Sequence, residues 1–541
     1  MEKNNYFSIL YCCCFWLLTS VASAQNAQQY LVLFSDKANS TYNVATPRQF
    51  LSERAIQRRN RQSISITTQD LPVNISYLNA IKQTGAKVGF TSRWFNGALV
   101  EANDTQLQQI LSLPYVKGIE GNTPLQKRNT ANRATRQKAK FEAFDTAPDF
   151  GLAYMQNNMI GVDKMHEQGF RGEGMLIAIL DAGYSSVNTL PVFSYLFNEN
   201  KIVGTYDFVN NKSFVYEGSS HGTAVLSCLA AQQTSRLVGT APNASYLLLR
   251  TEDTENESLL EEVNWLIAAE YADSLGVDLI NSSLGYTEFD NPATNHQYKD
   301  FDGKTTIAAR AAALAAAKGI ICTISAGNEG NSDWKYISTP ADADSVLSVG
   351  AVDAYQSYVV FTSIGPSADG RVKPDVAAMG QSVAVANAFG NYTTTSGTSF
   401  ASPILCGMVA GFWQANPQMK AQEVIRVIQQ SGSTYTKPTP QLGYGVPHFE
   451  RAMQLAQPIT FEGKFWAFPN PISNQIKIAI AQFDAQNSYS FELVNTLGQT
   501  VLSGSITHKL QTIPCENLQN GLYFLSIKDN TQQQVFKMIK D

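Results

Sequence analysis

Between roughly residues 145 and 455, short continuous apolar runs alternate with helical patterns, and few folds accept that rhythm. "MLIAIL", "ASYLLLR", "VDLINSS", "IICTIS" and "VLSVGAV" show little polar alternation, so each is expected to be a strand buried on both faces. Between them lie "ESLLEEVNWLIAAEYADSLG" and the alanine-rich "TTIAARAAALAAAKG", and two more helices are expected after Thr398 and Met419. Strands that need cover on both sides, separated by helices, specify a doubly wound, mainly parallel α/β sheet. Ligands of such sheets bind outside the carboxyl ends of the strands, so the residues after each strand are the ones to read.

The flanks differ in texture. At 541 residues the chain is too long for one ordinary domain. Residues 1–24 place a lysine ahead of an apolar core and end on Ala22-Ser23-Ala24, the layout of a secretory signal peptide cut after Ala24. Residues 25–126 read β-α-α-β-β-α-β, a small α/β sandwich. The segment 127–145 opens with "KRNTANRATRQKAK", six basic residues and no acidic ones, a solvated and protease-accessible linker. The α/β sheet then takes 146–455, and alternating strands at short spacing over 460–541 read as a small β-sandwich.

Of the 7 cysteines, Cys12, Cys13 and Cys14 leave with the signal. Cys228, Cys322, Cys406 and Cys515 are too few for a disulfide framework; buried free thiols are expected, with one bridge left open. A net charge of −5 is small for this length and gives no argument for nucleic acid or an anionic membrane surface, and no nucleic-acid partner is expected.

Four positions carry candidate chemistry. Asp181 ends the first strand in "ILDAG". His221, one of only 5 histidines, opens a helix in "GSSHGTAVLSCLAA", where a helix start is expected to lower the imidazole pKa. Asn328, in "SAGNEG", can donate from its side-chain amide to a developing oxyanion. Ser399, in "SGTSFASP", starts a helix whose N-terminus favours negative charge, with Pro403 near the first turn. Each alone reads as well as a turn or cap residue. Together they put an acid, a base, an oxyanion donor and a serine after elements of one sheet, in the chain order Asp, His, Ser.

"ILDAG", "SSHGTAV", "INSSLG", "SAGNEG", "RVKPDVAAMG" and "SGTSFASP" resemble the successive motifs of the subtilisin-like serine proteases. The resemblance implies that Asp181 orients His221, which takes the proton of Ser399 as it attacks a peptide carbonyl. Asn328 and the Ser399 N–H would hold the oxyanion, with Thr398 supporting. Ser283, Leu284 and Gly285 would pair with an extended peptide substrate as an added strand, and Ala326 and Gly327 would complete the binding set. Four departures are visible: Ala182 stands where serine or threonine is usual, Ala224 where a second histidine is usual, and Phe400 and Ser402 replace methionine and alanine. They bear on rate and packing rather than reaction type. The N-terminal sandwich resembles an inhibitory propeptide, an intramolecular partner cut away by self-processing. The C-terminal sandwich, through Pro469-Asn470-Pro471, "NTLGQTV", "NGLYFLSI" and "KMIK", resembles the sorting domain of proteins exported by the type IX system of the Bacteroidetes. That implies passage through periplasm and outer membrane to the cell surface or medium, with outer-membrane secretion machinery as a partner.

Two rival functions stay open at this level. Gly218-Ser219-Ser220-His221-Gly222 satisfies G-x-S-x-G, so Ser220 could be the nucleophile of an esterase served by His296 or His448. The fold could also be a catalytically silent surface binder. No cofactor is required by the chemistry. Asp290, Asp300 and Asp302 lie in a loop with a D-x-D-G element that leaves structural calcium open, although the full calcium-loop spacing is absent.

Overall fold

The structure, a computed structural model, describes residues 27–125, 150–456, 465–468, 472, 475–480 and 483–540. The signal peptide, the basic linker and Pro469-Asn470-Pro471 lie outside the described residues. The chain forms two compact units, 1–456 and 457–541.

The N-terminal segment keeps the order read from its sequence: β1 (Gln28–Phe34), α1 (Glu53–Gln62), α2 (Ile75–Gln83), β2 (Lys87–Ser92), β3 (Gly97–Ala102), α3 (Asp104–Leu111) and β4 (Val116–Ile119). The strands pair antiparallel in the order β2-β3-β1-β4. Strand alternation then divides β1: Tyr30 and Val32 pack with Ile81 of α2 and Ile110 of α3. Leu31, between them, joins Trp94 and Leu99 in a core shared with the α/β segment.

α1 leaves this sandwich and buries arginines. Arg58 and Arg59 are almost fully enclosed. Arg58 donates to the Asp273 carboxylate and to the Val277 carbonyl at 2.5 Å. Arg59 donates to Asp273 at 2.8 Å and Asp70 at 3.1 Å, and Arg93 adds a third guanidinium on Asp273 at 3.0 Å.

In the α/β segment α4 (Tyr154–Asn158) and α5 (Val162–Glu167) precede β5 (Leu176–Asp181). Then come α6 (Ser194–Asn198), β6 (Ile202–Asp207), α7 (His221–Ala230) and a short hairpin of β7 (Gln232–Gln233) and β8 (Leu237–Val238). β9 (Ser245–Arg250), α8 (Leu259–Leu275), β10 (Leu279–Ser282), α9 (Ile307–Ala317), β11 (Ile321–Ser325), β12 (Leu347–Val352) and β13 (Val376–Met379) follow. A second hairpin, β14 (Val383–Ala386) and β15 (Tyr392–Thr395), leads to α10 (Thr398–Ala415), α11 (Ala421–Gln430) and α12 (Phe449–Ala456).

The seven-stranded sheet has the order β13-β12-β11-β10-β5-β9-β6, with every pairing parallel. Ile177 and Ile179 face α7 and α10, whereas Leu176, Ala178 and Leu180 face α8 and α9. That is why β5 lacks polar alternation. α8 starts on a Ser258/Glu261 capping box and stops at Gly276, whose φ of 86° suits glycine. It is buried nearly all round because the sheet covers one side and the N-terminal sandwich the other, and its buried acids Glu270 and Asp273 face that sandwich.

The C-terminal unit pairs β16 (Phe465–Phe468), β17 (Gln475–Ile480) and β20 (Leu510–Pro514) in one sheet. β18 (Tyr489–Asn495), β19 (Thr500–Ile506), β21 (Gly521–Lys528) and β22 (Gln533–Lys540) form the other. Phe465, Ile476, Ile478, Leu493, Leu525 and Ile527 fill the core of this β-sandwich.

Candidate active site

β5 and β10 are neighbours at the point where the strand order of the sheet reverses, and Asp181 and Ser283 stand at their carboxyl ends. Asp181 is fully buried. Its Oδ1 lies 2.8 Å from His221 Nδ1 and accepts from the Ala182 N–H, also at 2.8 Å. Its Oδ2 has no partner among the described residues, and the neighbouring Ala182 has no hydroxyl to offer.

His221 is the first residue of α7. A Cβ on Gly222 would stand 2.5 Å from the Gly183 carbonyl oxygen, so glycine lets α7 start this close to β5. Burial works against the imidazolium, but Asp181 outweighs it by charge and hydrogen bond, and Glu252 adds to it. The pKa therefore rises above 6.5. The expected lowering by the helix start is overturned, because a contacting carboxylate dominates a one-turn dipole effect. Glu252 is itself pushed up to about 8 by burial and Glu257, and accepts from the Tyr286 hydroxyl at 2.8 Å.

Asn328 follows β11, and its Oδ1 accepts from the Thr398 N–H at 2.9 Å and the Thr398 hydroxyl at 3.1 Å. A backbone N–H can only donate, so the amide orientation is fixed and Nδ2 is left as a donor on the other side. Thr398 Oγ1 also accepts from the Gly327 N–H at 3.2 Å.

Ser399 is the second residue of α10 and nine-tenths buried. Pro403 is the sixth residue of α10, just past its first turn. It has no N–H for the Ser399 carbonyl, and Ser283 Oγ donates to that carbonyl instead, at 2.7 Å. Ser399 Oγ in turn donates to the Ser283 carbonyl at 3.3 Å. Ser399 and His221 share no hydrogen bond in this state; the ring of Phe400, the next residue of α10, lies 5.7 Å from that of His221. Asn281 Nδ2 donates to Ser283 Oγ at 3.1 Å, and Ser402 Oγ donates to Asn281 Oδ1 at 2.9 Å.

A cavity of about 120 Å³ is lined by Ser283, Leu284, Gly285, Gly327, Asn328 and Ser399. Thr287, Ser325, Glu329 and Ser338 also line it. Sequence reasoning missed these four, although Ser325 and Glu329 sit inside the "SAGNEG" motif. Ala326, expected in the binding set, does not line the cavity. It is fully buried, its N–H donating to Val349 at 3.0 Å and its carbonyl accepting from Ser338 at 3.1 Å.

Of the four chemical positions, Asp181 and Asn328 follow strands of the parallel sheet. His221 follows a loop and Ser399 a strand of the separate antiparallel hairpin, correcting the expectation that one sheet presents them all. Ser220 caps α7 with no strand directly before it, unlike a nucleophile elbow, and His296 is engaged with Glu262 at 2.5 Å. Asp300 and Asp302 accept from nearby backbone N–H groups, Gln297 and Lys304, each at 2.8 Å, and are used up in local turns. No group of three or more His, Cys, Asp or Glu among the described residues is placed to hold a metal ion. Cys228, Cys322, Cys406 and Cys515 are free and buried.

A doubly wound sheet carrying these motifs in this order defines a serine peptidase, and the comparisons specify which kind. Residues 172–446 match the Subtilase family, peptidase S8. Residues 29–139 match the peptidase S8 propeptide domain of Bacteroidota, and 466–541 a secretion system C-terminal sorting domain. Subtilisin DY of Bacillus licheniformis is 31% identical over 268 residues, 49% of this chain and 86% of the relative. Subtilisin NAT of Bacillus subtilis subsp. natto is 29% identical over 380 residues, 70% of this chain and 85% of the relative. The solved structure of the MycP3 protease from a type VII (ESX-3) secretion system aligns at 19% identity with a TM-score of 0.45, over 57% of this chain and 89% of that one. The chain belongs to the subtilase family. It is a serine endopeptidase made as a zymogen, acts on peptide substrate under a propeptide inhibitor, and carries a type IX sorting domain that directs it to the cell surface or beyond.

Proposed function

We propose that Ser399 is the nucleophile, His221 its general base, Asp181 the group that orients and charges the base, and Asn328 Nδ2 with the Ser399 N–H the oxyanion donors. The observation that carries this reading is the lock on Asn328: Thr398 holds its oxygen, so the amide donor is left over, and both Asn328 and Ser399 line the same cavity. The 2.8 Å contact of His221 Nδ1 with Asp181 supports the base assignment, since it leaves Nε2 to take a proton.

In the resting state the Ser399 hydroxyl is spent on the Ser283 carbonyl. An extended substrate lying along Ser283, Leu284 and Gly285 as an added strand would donate its own N–H to that carbonyl. The hydroxyl is then released to His221, so substrate arrival and nucleophile activation are coupled. Attack on the scissile carbonyl gives an acyl-enzyme while His221 passes the proton to the departing amine; water, deprotonated by His221, then frees the acid. The units acting here are the propeptide over 25–126, the peptidase over 146–455 and the sorting domain over 460–541. The zymogen cuts itself within the linker, and the sorting domain engages outer-membrane secretion machinery.

Expression of wild type beside Ser399→Ala tests the reading. Wild type should shed the propeptide and react with a serine-directed phosphonate; the variant should keep it, take no label and cleave nothing. A variant that is processed and as active as wild type would sink the assignment.

A further inference from the structure

Past Gly285 the small cavity adjoins a larger one of about 720 Å³, and the two share Gly285, Thr287 and Glu329 in their walls. The larger cleft carries one sign of charge. Asp253, Glu255, Glu288, Asp290, Glu329 and Asp333 line it, with no lysine or arginine among its lining residues. Such a cleft focuses the field of its charges on whatever enters. Trp334 adds an aromatic wall. Carboxylates beside an indole suit a lysine or arginine side chain: the cation meets the acids while the stem or guanidinium plane lies on the ring.

A second observation does not depend on the acids. Pro124 and Leu125 end the described N-terminal sandwich in a neighbouring cavity that shares Asn256, Phe289 and Asp290 with the acidic cleft. Leu125 is buried, and its N–H donates to Gln29 at 2.8 Å. The sequence then continues Gln126-Lys127-Arg128, and no acidic residue follows before Lys140. The fold thus anchors the chain at the rim of the acidic cleft where its sequence turns basic.

We propose that this cleft selects substrates bearing lysine or arginine on the amino-terminal side of the cut bond, and that the segment 127–140 is the first such substrate. The proposal rests on Ser399 as nucleophile and Ser283–Gly285 as the substrate track. The reaction is plain hydrolysis: the C–N bond breaks, and water supplies OH to the acyl carbon and H to the amine.

The processed enzyme is assayed with fluorogenic peptides of one sequence that carry lysine or arginine, alanine, or glutamate at the positions before the cut. The basic peptide is expected to show kcat/KM at least about tenfold above the alanine peptide at low ionic strength, with the glutamate peptide lowest. That ratio should shrink several-fold in about 0.5 M NaCl, because exposed charges are screened. In the double variant Glu288→Gln/Asp290→Asn the ratio should also fall, by about threefold or more. Equal cleavage of all three peptides, or a preference that neither salt nor the double variant moves, overturns the proposal. Salt dependence in wild type decides alone if the variant does not fold. Failure of the underlying reading looks different: no peptide is cut, and wild type matches Ser399→Ala.

Discussion

Ser283 and Ser399 exchange hydrogen bonds: the hydroxyl of Ser283 donates to the carbonyl of Ser399 at 2.7 Å, and the hydroxyl of Ser399 to the carbonyl of Ser283 at 3.3 Å. The first bond replaces the helix bond that Pro403 cannot make. Ser283→Ala leaves a buried carbonyl unpaired, which costs about 1–3 kcal/mol. Urea unfolding should register that loss. Ser283→Thr, which keeps the hydroxyl, should recover most of it; equal losses in both variants would mean that packing, not the bond, matters.

Asn328 and Thr398 separate two effects. Asn328→Leu removes the oxyanion donor and should lower kcat by about 10²–10³ with KM little changed. Thr398→Val removes the hydroxyl but keeps the N–H that holds Asn328 Oδ1 at 2.9 Å, so its loss should be the smaller. Steady-state kinetics on one peptide compares them. A larger defect in Thr398→Val would remove Asn328 from the oxyanion role.

The raised pKa of His221 fixes the sign of a pH effect. A protonated imidazole cannot act as base, so kcat/KM should fall as pH drops, with the acid limb centred above 6.5. Asp181→Asn removes the main charge that raises it. The limb should move to lower pH, and the rate should drop by about 10⁴. A limb that stays in place would show that another group controls it.

Much of this was legible because parallel strands are encoded locally. β5 and β11 are buried at every position and read as mainly apolar runs, and Asp181 and Asn328 follow from their ends. Partnerships across long separations were not legible. Nothing in "RRNR" of α1 signals burial, yet Arg58 and Arg59 are buried because Asp273, over two hundred residues away, neutralises them. The Ser283–Ser399 exchange spans 116 residues and was equally invisible. The imidazole shift was misjudged because the helix start is a sequence feature, whereas contact with Asp181 is a tertiary one.

Asp181 Oδ2 is buried beside Ala182 without a partner among the described residues. A serine at that position brings a hydroxyl within reach of the carboxylate. Ala182→Ser should therefore gain about 1 kcal/mol in unfolding, the typical net value of one hydrogen bond. Ala182→Val, which adds bulk without a hydroxyl, should gain nothing. If both stabilise alike, the orphaned oxygen is not the reason.

The docking of the propeptide should weaken as pH rises through the mildly acid range, and Glu270 is the cause. Its carboxylate accepts from the Ser92 hydroxyl, the Arg93 N–H at 2.8 Å and the Trp94 N–H at 3.2 Å. Burial still pushes its pKa from 4.5 up to about 6, against the pull of Arg93 and these bonds. A carboxyl raised by folding costs nothing below pH 4.5, where it is protonated in both states. Stability is lost as pH climbs towards 6 and is level above, a total of about 2 kcal/mol. Asp273 does not mask this. Burial opposes its charge, but Arg58, Arg59 and Arg93 outweigh burial and lower its pKa, so its contribution is lost only below 3.8. Calorimetry of full-length Ser399→Ala at pH 4.5 and 7 should show the loss, and Glu270→Gln in the same background should remove about 2 kcal/mol of the difference. Identical pH dependence in the two proteins would show that Glu270 does not set the hold of the propeptide.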